Sequence, residues 1–310
     1  MRSATRGKEA ATVRNYSDAL RPVIERYGAK PLQKLTTTDI EDVVDHMLMF
    51  GRKRGGKAGA PLAPRTVQLT LSRLRSALND AVHRHLLEWN PATPVKCPAQ
   101  VRATQQPWSE HEVKVFLASL SSQRLHAIML LSLLGLRPAE ICGLRWTDVD
   151  LDEGTVNVTN TRTLVMTDEG MQVVEKPPKT ASGRRSLPLP VQVTTALRAF
   201  RTLQAQERLV AGPAYKATGY VLVDELGAPQ RTDWLRRQTY KAMAAANVRK
   251  VRPYDARHAC LTYLATSGVP APIVSAWAGH SDLSMAQRVY VHPSAKDLEQ
   301  GRDALSILLS

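Results

Sequence analysis

Four short segments of the sequence carry residues that could act together on a phosphate ester. In chain order they contribute Arg137, Lys179, Arg257, His280 and Tyr290. Each residue alone has an ordinary structural explanation, since an arginine after a helix can bind its last carbonyl groups and a tyrosine usually packs. Taken together in a basic chain, they suit phosphoryl transfer through a covalent tyrosyl intermediate.

This chemistry needs each of these residue types. A pentacoordinate phosphorane concentrates negative charge on its nonbridging oxygens, and two arginine forks can hold those oxygens bidentately. A 5′ oxygen leaves poorly unless it is protonated, and a lysine on a loop can act as the general acid. A tyrosine hydroxyl can be the nucleophile if surrounding positive charge offsets its ordinary pKa of about 10. Because the arginines supply the charge stabilisation, we expect neither a metal nor another cofactor.

The composition favours a polyanionic partner. The 310 residues include 42 Lys and Arg against 28 Asp and Glu, which gives a net charge of +14. Each phosphate that such a surface neutralises releases condensed counterions, so nucleic acid is the expected partner, although a basic balance alone also serves solubility. No apolar run approaches the roughly eighteen residues of a membrane span, so we expect no membrane partner.

The three cysteines indicate a reducing compartment. Cys97, Cys142 and Cys260 are an odd, scattered set without metal-ligand spacing. Such a set is typical of proteins that keep free thiols, and the expected localisation is cytoplasmic.

Proline divides the chain into two predicted domains. The segment NPATPVKCPAQVRATQQPWS holds four prolines and little apolar periodicity, which is typical of an extended linker. We therefore predict an N-terminal domain over residues 1–95, a linker over residues 96–107 and a second domain over residues 108–310.

The two domains differ in their predicted elements. In the first, apolar spacing predicts helices over residues 11–27 and 65–89, and Thr38 with Glu41 predicts a capping box that opens a third helix. In the second, a capping box of Ser109 and Glu112 begins a helical region, and turns at DEG and TDEG join strands. The predicted fold is mainly α: an N-terminal helical bundle plus a mixed α+β domain with a small antiparallel sheet.

Basic residues of the N-terminal domain are candidates for DNA contact. The glycine-rich loop over residues 51–57 carries four basic residues in seven, and the helix over residues 65–89 is apolar on one side and basic elsewhere. A solvated face explains any single one of them, but such a helix could also pack on a core and face a groove. The candidates are Arg52, Lys53, Arg54, Lys57, Arg65, Arg73 and Arg75.

Over essentially the whole chain, these segments resemble the tyrosine recombinases, the phage integrase family. GLRPAEICGLRWTDVDL resembles the first arginine box of that family, and PKTASGRRSLPLP resembles its β-hairpin lysine motif. GHSDLSMAQRVYVH resembles the terminal His-to-Tyr box, and the N-terminal bundle is similar to the family's core-binding domain. The motifs occur in the family's order and spacing, which makes the combined resemblance specific.

The resemblance implies a role for each candidate residue. Arg137 and Arg257 would hold the scissile phosphate, and Lys179 would protonate the leaving 5′ oxygen. His280 would hydrogen-bond a phosphate oxygen, and Tyr290 would attack to give a 3′-phosphotyrosyl bond. In the same way, the acid in the first box, Glu140, would orient the nearby arginine.

One position departs from the family pattern. The second box usually begins with histidine, but here it begins with Tyr254, three residues before Arg257. Tyrosine donates or accepts hydrogen bonds but does not shuttle protons near pH 7 as imidazole does. Because charge stabilisation usually outweighs one acid–base contact, we expect an active enzyme in which Tyr254 belongs to the site.

The implied function is a site-specific DNA recombinase, or integrase. Its implied partners are double-stranded DNA recombination sites, three further copies in a homotetramer on DNA, and accessory DNA-bending or directionality factors. The apolar tail DALSILLS would dock on a neighbouring protomer or on its own domain. Two alternatives stay open: a type IB topoisomerase-like nicking enzyme with the same chemistry, and a catalytically decayed DNA-binding relative, of which Tyr254 would be the first sign.

Overall fold

A computed structural model describes residues 7, 9–53, 56–99, 108–167, 170–178 and 180–279. The chain divides into two compact units, Met1–Thr104 with Met166–Gly170, and Gln105–Val165 with Met171–Ser310. Four predicted site residues and the apolar tail lie outside the described residues: Arg54, Lys179, His280, Tyr290 and residues 303–310. No helix in the described ranges combines the length and the apolar character that crossing a membrane requires.

The described part of the first unit is built on three α-helices: α1 (Ala10–Tyr27), α2 (Thr37–Phe50) and α3 (Pro64–His83). Each helix contributes an apolar stripe to one core, because residues three and four positions apart share a helix face. The buried side chains of this core include Leu20, Val23, Ile40, Val43, Met47, Val67, Leu71, Leu74 and Leu78. The predicted helical bundle is confirmed.

Two helix boundaries in this unit differ from the prediction. The capping box of α2 is formed by Thr36 and Asp39: the Thr36 hydroxyl accepts from the Asp39 N–H at 3.3 Å, and the Asp39 carboxylate accepts from the Thr36 N–H at 2.8 Å. The prediction of Thr38 was wrong because three consecutive threonines offer three possible N-caps. Helix α3 ends at His83, where His85 (φ +56°) and the hydrogen bond from Leu86 N–H to Ala81 O close it.

Residues 90–95 pack against α3 and add two buried side chains to the first core. Arg75 donates from Nε to Ala92 O at 2.9 Å and from Nη2 to Val95 O. Asn90 donates to Arg75 O at 3.0 Å, and the side chains of Ala92 and Val95 are buried. These contacts give Arg75 a structural task within the bundle; its DNA contact stays a prediction.

The second unit combines helices and short strands. The helices are α4 (Glu110–Leu120), α5 (His126–Leu133), α6 (Pro138–Gly143), α7 (Val191–Ala211), α8 (Thr232–Ala245), α9 (Pro253–Thr266) and α10 (Ala271–Ala278). The strands are β1 (Val149–Asp150), β2 (Thr155–Val158), β3 (Thr161–Thr167), β4 (Gly170–Lys176) and β5 (Arg185–Pro188). The end of β3 and the start of β4, within Met166–Gly170, are grouped with the first unit. The mainly α fold with a small sheet is confirmed.

The strands form two sheets rather than one. Strands β1, β2 and β5 make an antiparallel sheet in that order, with Val156 opposite Leu187 and Val158 opposite Arg185. Strands β3 and β4 pair separately. This arrangement separates the strands that lead toward Lys179 from the strand that follows it.

The core of the second unit surrounds α5. This helix is apolar on almost every side, so it is buried on several faces, and Ile128 and Leu131 are fully enclosed. Leu197 of α7 and Val156 of β2 belong to the same core. The capping box of Ser109 and Glu112 opens α4 as predicted.

Candidate active site

Arg257 lies in the second turn of α9 and is fully buried. Its Nη1 donates to Gly135 O at 2.6 Å and its Nη2 donates to Ala278 O. Ala278 is the last residue of α10, where helix carbonyls lack partners and carry partial negative charge, and Gly135 follows the end of α5 by two residues. Burial, together with the charge of Arg137, lowers the pKa of Arg257 from its ordinary value. Arginine still remains charged at neutral pH.

Arg137 stands directly before α6, whose first residue is Pro138. Its Nη1 donates to Glu140 Oε1 at 2.6 Å, its backbone N–H donates to Glu140 Oε2 at 2.8 Å, and its Nη2 donates to Gly279 O at 3.3 Å. Burial disfavours its charge, but the Glu140 carboxylate raises the pKa of Arg137 overall. The side chain is 29% exposed, so an entering anion can reach it.

Arg185 completes the cluster, and the sequence analysis missed it. Its Nη1 and Nη2 donate to the two oxygens of Glu140 at 3.0 and 2.9 Å, and its Nε donates to Trp277 O at 2.8 Å. The sequence did contain a signal: alternation along β5 puts Arg185 on the same face as the buried Leu187.

Glu140 is the negative centre between two guanidinium groups. Its side chain is 1% exposed. Burial alone would raise its pKa, but the hydrogen bonds and charges of Arg185 and Arg137 hold that pKa below the ordinary value. Both carboxylate oxygens accept from Arg137, and the orienting role expected for Glu140 stays a prediction.

Three consecutive carbonyl oxygens at the end of α10 accept hydrogen bonds from three arginines. The pairs are Trp277 O with Arg185, Ala278 O with Arg257, and Gly279 O with Arg137. We call these oxygens the carbonyl triplet. The last carbonyls of a helix are its negative end, so positive side chains stabilise it there. The triplet therefore fixes the backbone that directly precedes His280 in the chain.

Gly279 brings this helix end against the turn over Ala181–Gly183, just after Lys179. Its backbone is left-handed, with φ +62°. A Cβ atom there would lie 2.8 Å from Ser182 O and 3.0 Å from Arg185 Nη1. Only glycine can adopt this left-handed conformation without strain and also leave room for Ser182 and Arg185. Chain segments adjoining Lys179 and His280 therefore meet at the arginine cluster.

Tyr254 lies in the first turn of α9 beside Arg137. After burial, which lowers the pKa of Arg137, and the Glu140 carboxylate, which raises it, the nearby Tyr254 side chain adds a smaller raising effect on that pKa. Its ring meets the ring of His258 edge-on, with centroids 5.2 Å apart, and burial lowers the pKa of His258. At 41% exposure, Tyr254 is the most accessible of the predicted site residues brought together here.

A second charged cluster anchors the strand that leads to Lys179. Glu175 of β4 accepts a hydrogen bond from the Tyr220 hydroxyl and pairs with Arg162 at 3.3 Å and Arg145 at 3.4 Å. Both arginines also lie over the Tyr220 ring, Arg145 at 5.0 Å and Arg162 at 5.5 Å from its centroid. We call these four residues the hairpin anchor.

Three of the six described candidate DNA contacts of the first unit are exposed. Lys57 and Arg65 are exposed, and Lys53, also exposed, pairs with Glu25 at 2.5 Å. Arg73 is half-buried over the Tyr16 ring, 4.3 Å from its centroid. The half-buried Arg52 donates to Pro61 O at 3.4 Å. None of these contacts tests DNA binding, which stays a prediction.

The charges and geometry of the arginine cluster suit it to binding an anion. Arg137, Arg185 and Arg257 carry three positive charges against the single carboxylate of Glu140. Exposure is concentrated at Arg137 and Tyr254, so an anion would arrive at these two side chains. A phosphate suits a guanidinium fork in both charge and geometry.

Comparison with known proteins connects this arrangement to a family. Residues 109–297, more than half of the chain, match the model of the phage integrase family. A protein of Caldanaerobacter subterraneus subsp. tengcongensis, named tyrosine recombinase XerC-like, is 29% identical over 259 residues. That stretch covers 79% of this chain and 66% of the relative, so the chain spans just under two thirds of the relative's length.

Solved structures share the fold. The Tn1549 transposon integrase in complex with transposon right end DNA superposes with a TM-score of 0.78 at 19% identity, over 98% of this chain and 96% of that chain. A lambda integrase tetramer bound to a Holliday junction gives a TM-score of 0.62 at 15% identity, over 93% and 74% of the two chains. Because its sequence matches the family model from α4 onward, the chain belongs to the phage integrase family, the tyrosine recombinases.

Proposed function

We propose that the protein is a site-specific DNA recombinase that cleaves and rejoins strands through a 3′-phosphotyrosyl intermediate. The observation that carries the proposal is the positive cluster of Arg137, Arg185 and Arg257 around the carbonyl triplet, next in sequence to His280. Membership of the phage integrase family supports it.

In the proposed cleavage step, the Tyr290 hydroxyl oxygen forms a bond to the scissile phosphorus while the bond from phosphorus to the 5′ oxygen breaks. The phenol gives its proton to solvent water, and the departing 5′ oxygen takes a proton from the Lys179 ammonium. Rejoining reverses these steps, as a 5′ hydroxyl attacks the phosphotyrosyl phosphorus and the phenol recovers a proton. One phosphoester replaces another in each step, so no external energy source is needed.

The two proposed phosphate ligands differ in how readily they bind. Arg137 is partly exposed, and its 3.3 Å contact with Gly279 O is long enough to yield to a charged phosphate oxygen. Both Nη atoms of Arg257 already donate to carbonyls and its side chain is fully buried, so a phosphate oxygen reaches it less readily. We therefore assign first contact with the phosphate to Arg137.

Tyr254 takes the place of a histidine without its proton chemistry. Its closeness to Arg137, whose pKa it helps to raise, supports a role in orienting that guanidinium and a bound phosphate oxygen. Tyr254→His tests this assignment. An unchanged cleavage rate and an unchanged pH dependence would mean that a histidine has no special task at this position.

The proposed partner is a duplex recombination site. The basic residues of the first unit, exposed at Lys57 and Arg65, would track its phosphates. The tetramer seen for lambda integrase on a Holliday junction supports the same assembly here, with accessory DNA-bending or directionality factors as further partners. All three cysteines are free thiols, which supports a reducing, cytoplasmic location.

A covalent trapping assay tests the function. A duplex from DNA that flanks the gene, nicked near the scissile phosphate, loses the short 5′-hydroxyl fragment and cannot rejoin. We expect an adduct with wild type, an equal adduct with Tyr263→Phe (an exposed tyrosine of α9), and none with Tyr290→Phe. Intact DNA binding without a wild-type adduct would favour a decayed binding protein. Relaxation of supercoils without strand exchange would favour the topoisomerase alternative.

A further inference from the structure

We infer that Arg185 is a positioning residue for the reaction: it sets the orientation of Arg137 through Glu140 and fixes the end of α10 through Trp277 O. The inference rests on the proposed function, since it assigns a task within that site. We assign Arg185 no contact with the phosphate, because all three of its nitrogen atoms donate to Glu140, Trp277 O or Gly183 O.

The contacts of Arg185 use all three of its nitrogen atoms. Nε donates to Trp277 O at 2.8 Å, and Nη2 donates to Glu140 Oε2 at 2.9 Å. Nη1 donates to Glu140 Oε1 at 3.0 Å and to Gly183 O at 3.2 Å. One planar group thus joins the first arginine box, the turn after Lys179 and the helix end before His280. These three segments are distant in sequence.

Glu140 transmits the effect because its carboxylate is saturated. Oε1 accepts from the Nη1 atoms of both Arg137 and Arg185, and Oε2 accepts from the Arg137 backbone N–H and from Arg185 Nη2. Charged hydrogen bonds in a buried site are short and strongly directional. With two donors on each oxygen, the carboxylate has one orientation, and the Arg137 fork that shares it is held as well.

Charge balance gives Arg185 a second effect on Arg137. The positive charge of Arg185 offsets the negative charge of Glu140, so Arg137 and Arg257 together keep an excess of positive charge for a phosphate. Without Arg185, Glu140 would be neutralised mainly by Arg137. Part of the attraction between Arg137 and the developing charge of the transition state would then be lost.

Arginine is required because lysine cannot reproduce the fork. A lysine ammonium is a compact point charge, and it cannot span both carboxylate oxygens and Trp277 O in one plane. Arg185→Lys therefore keeps the charge and removes the geometry, whereas Arg185→Met keeps most of the volume and removes both. Arg198→Lys is the matched control, since Arg198 also donates to a carboxylate and a backbone carbonyl but is exposed.

The experiment measures single-turnover adduct formation at saturating nicked duplex, with two scissile linkages. One linkage is an ordinary phosphate, and the other is a methylphosphonate, in which a methyl group replaces a charged nonbridging oxygen. A neutral linkage depends less on a correctly aimed arginine. A general packing defect, in contrast, slows both reactions equally. The ratio of the two rates does not depend on the fraction of folded protein in a preparation.

With the phosphate linkage, we expect Arg185→Lys to slow adduct formation by up to about 100-fold, the effect of a small misplacement of a catalytic group. The loss should be larger for Arg185→Met. With the methylphosphonate, both losses should be clearly smaller, and Arg198→Lys should match wild type on both linkages. DNA affinity should stay within about twofold, because Arg185 is too buried to contact the phosphates that dominate it.

Two results would overturn the inference. One is an equal loss on both linkages, which would mark Arg185 as a structural arginine only. The other is no loss in either variant. A wild-type protein that forms no adduct with either linkage would refute the proposed function itself, and the inference with it.

Discussion

A methyl group added at Gly279 would strike the turn that follows Lys179, so Gly279→Ala probes how closely the two segments must approach. The left-handed conformation alone costs a residue with a Cβ about 1–2 kcal/mol. The new Cβ would also lie 2.8 Å from Ser182 O, a backbone atom, and 3.0 Å from Arg185 Nη1. Overpacking of this kind costs a further 1–3 kcal/mol, roughly. The expected loss of unfolding free energy is therefore about 2–5 kcal/mol.

Gly268 supplies a control that separates the two effects. Its φ is +81°, but an added Cβ would meet no atom within 4 Å. Gly268→Ala should therefore cost only the conformational part, about 1–2 kcal/mol. Urea unfolding followed by tryptophan fluorescence measures both variants, since four of the five tryptophans lie in the second unit.

Activity should separate the two variants further. Gly279→Ala moves the carbonyl triplet away from its arginines, so adduct formation should slow, whereas Gly268→Ala should react like wild type. Two results would refute the claim that the close contact of Gly279 with Ser182 and Arg185 organises the site. One is equal destabilisation by the two substitutions, and the other is normal adduct formation in Gly279→Ala.

Three further substitutions test the charges around the site. Glu140→Gln leaves two guanidinium groups without their buried carboxylate, so we expect urea titration to show a loss of about 3–5 kcal/mol, against little change for the exposed Asp152→Asn. Glu175→Gln weakens the hairpin anchor, so adduct formation should slow while DNA affinity, measured by fluorescence anisotropy, stays unchanged. Burial lowers the pKa of His258, so this imidazole binds a proton more readily in the unfolded chain than in the folded protein. The free energy of unfolding of wild type should therefore fall as pH drops below about 6.5. His258→Gln should reduce this pH dependence, whereas substitution of the exposed histidine in His111→Gln should leave it unchanged.

Each of these expectations has a result that would contradict it. A Glu140→Gln protein as stable as Asp152→Asn would mean that the buried carboxylate adds nothing to the cluster. Weaker DNA binding by Glu175→Gln, with a normal rate at saturation, would place the anchor in DNA contact instead of positioning. Identical pH profiles for His258→Gln and wild type between pH 5 and pH 7.5 would show that another group controls the acid sensitivity.

Much of the fold follows from local pattern. Leu71, Leu74 and Leu78 recur at helical spacing and are buried in the first core, as the pattern predicts. Local pattern does not predict a helix start where several neighbouring residues could each be the N-cap. The run Thr36–Thr37–Thr38 permits three caps, and Asp39 decides between them because its carboxylate also pairs with Lys30, a contact of nine residues' separation.

The candidate site was only partly predictable for a related reason. Arg137, Arg257 and Tyr254 follow from motifs, and they do meet in the structure. Arg185 sits in one of the same motifs, but its importance depends on Glu140 and Trp277, 45 residues before it and 92 residues after it. No local pattern encodes such a junction, and strand alternation alone would have indicated only that Arg185 faces inward.

Identification of the residue that carries the DNA tests the central claim most directly. The wild-type adduct would be digested with nuclease and trypsin, and the nucleotide-bearing peptide would be located by mass spectrometry. Cleavage after Arg288 and Lys296 releases residues 289–296, in which Tyr290 is the sole tyrosine. The predicted result is a peptide whose mass is increased by a nucleotide joined through its 3′ phosphate to Tyr290. Attachment to any other residue, or a wild-type protein that binds its site and carries no nucleotide, would contradict the claim that Tyr290 is the nucleophile.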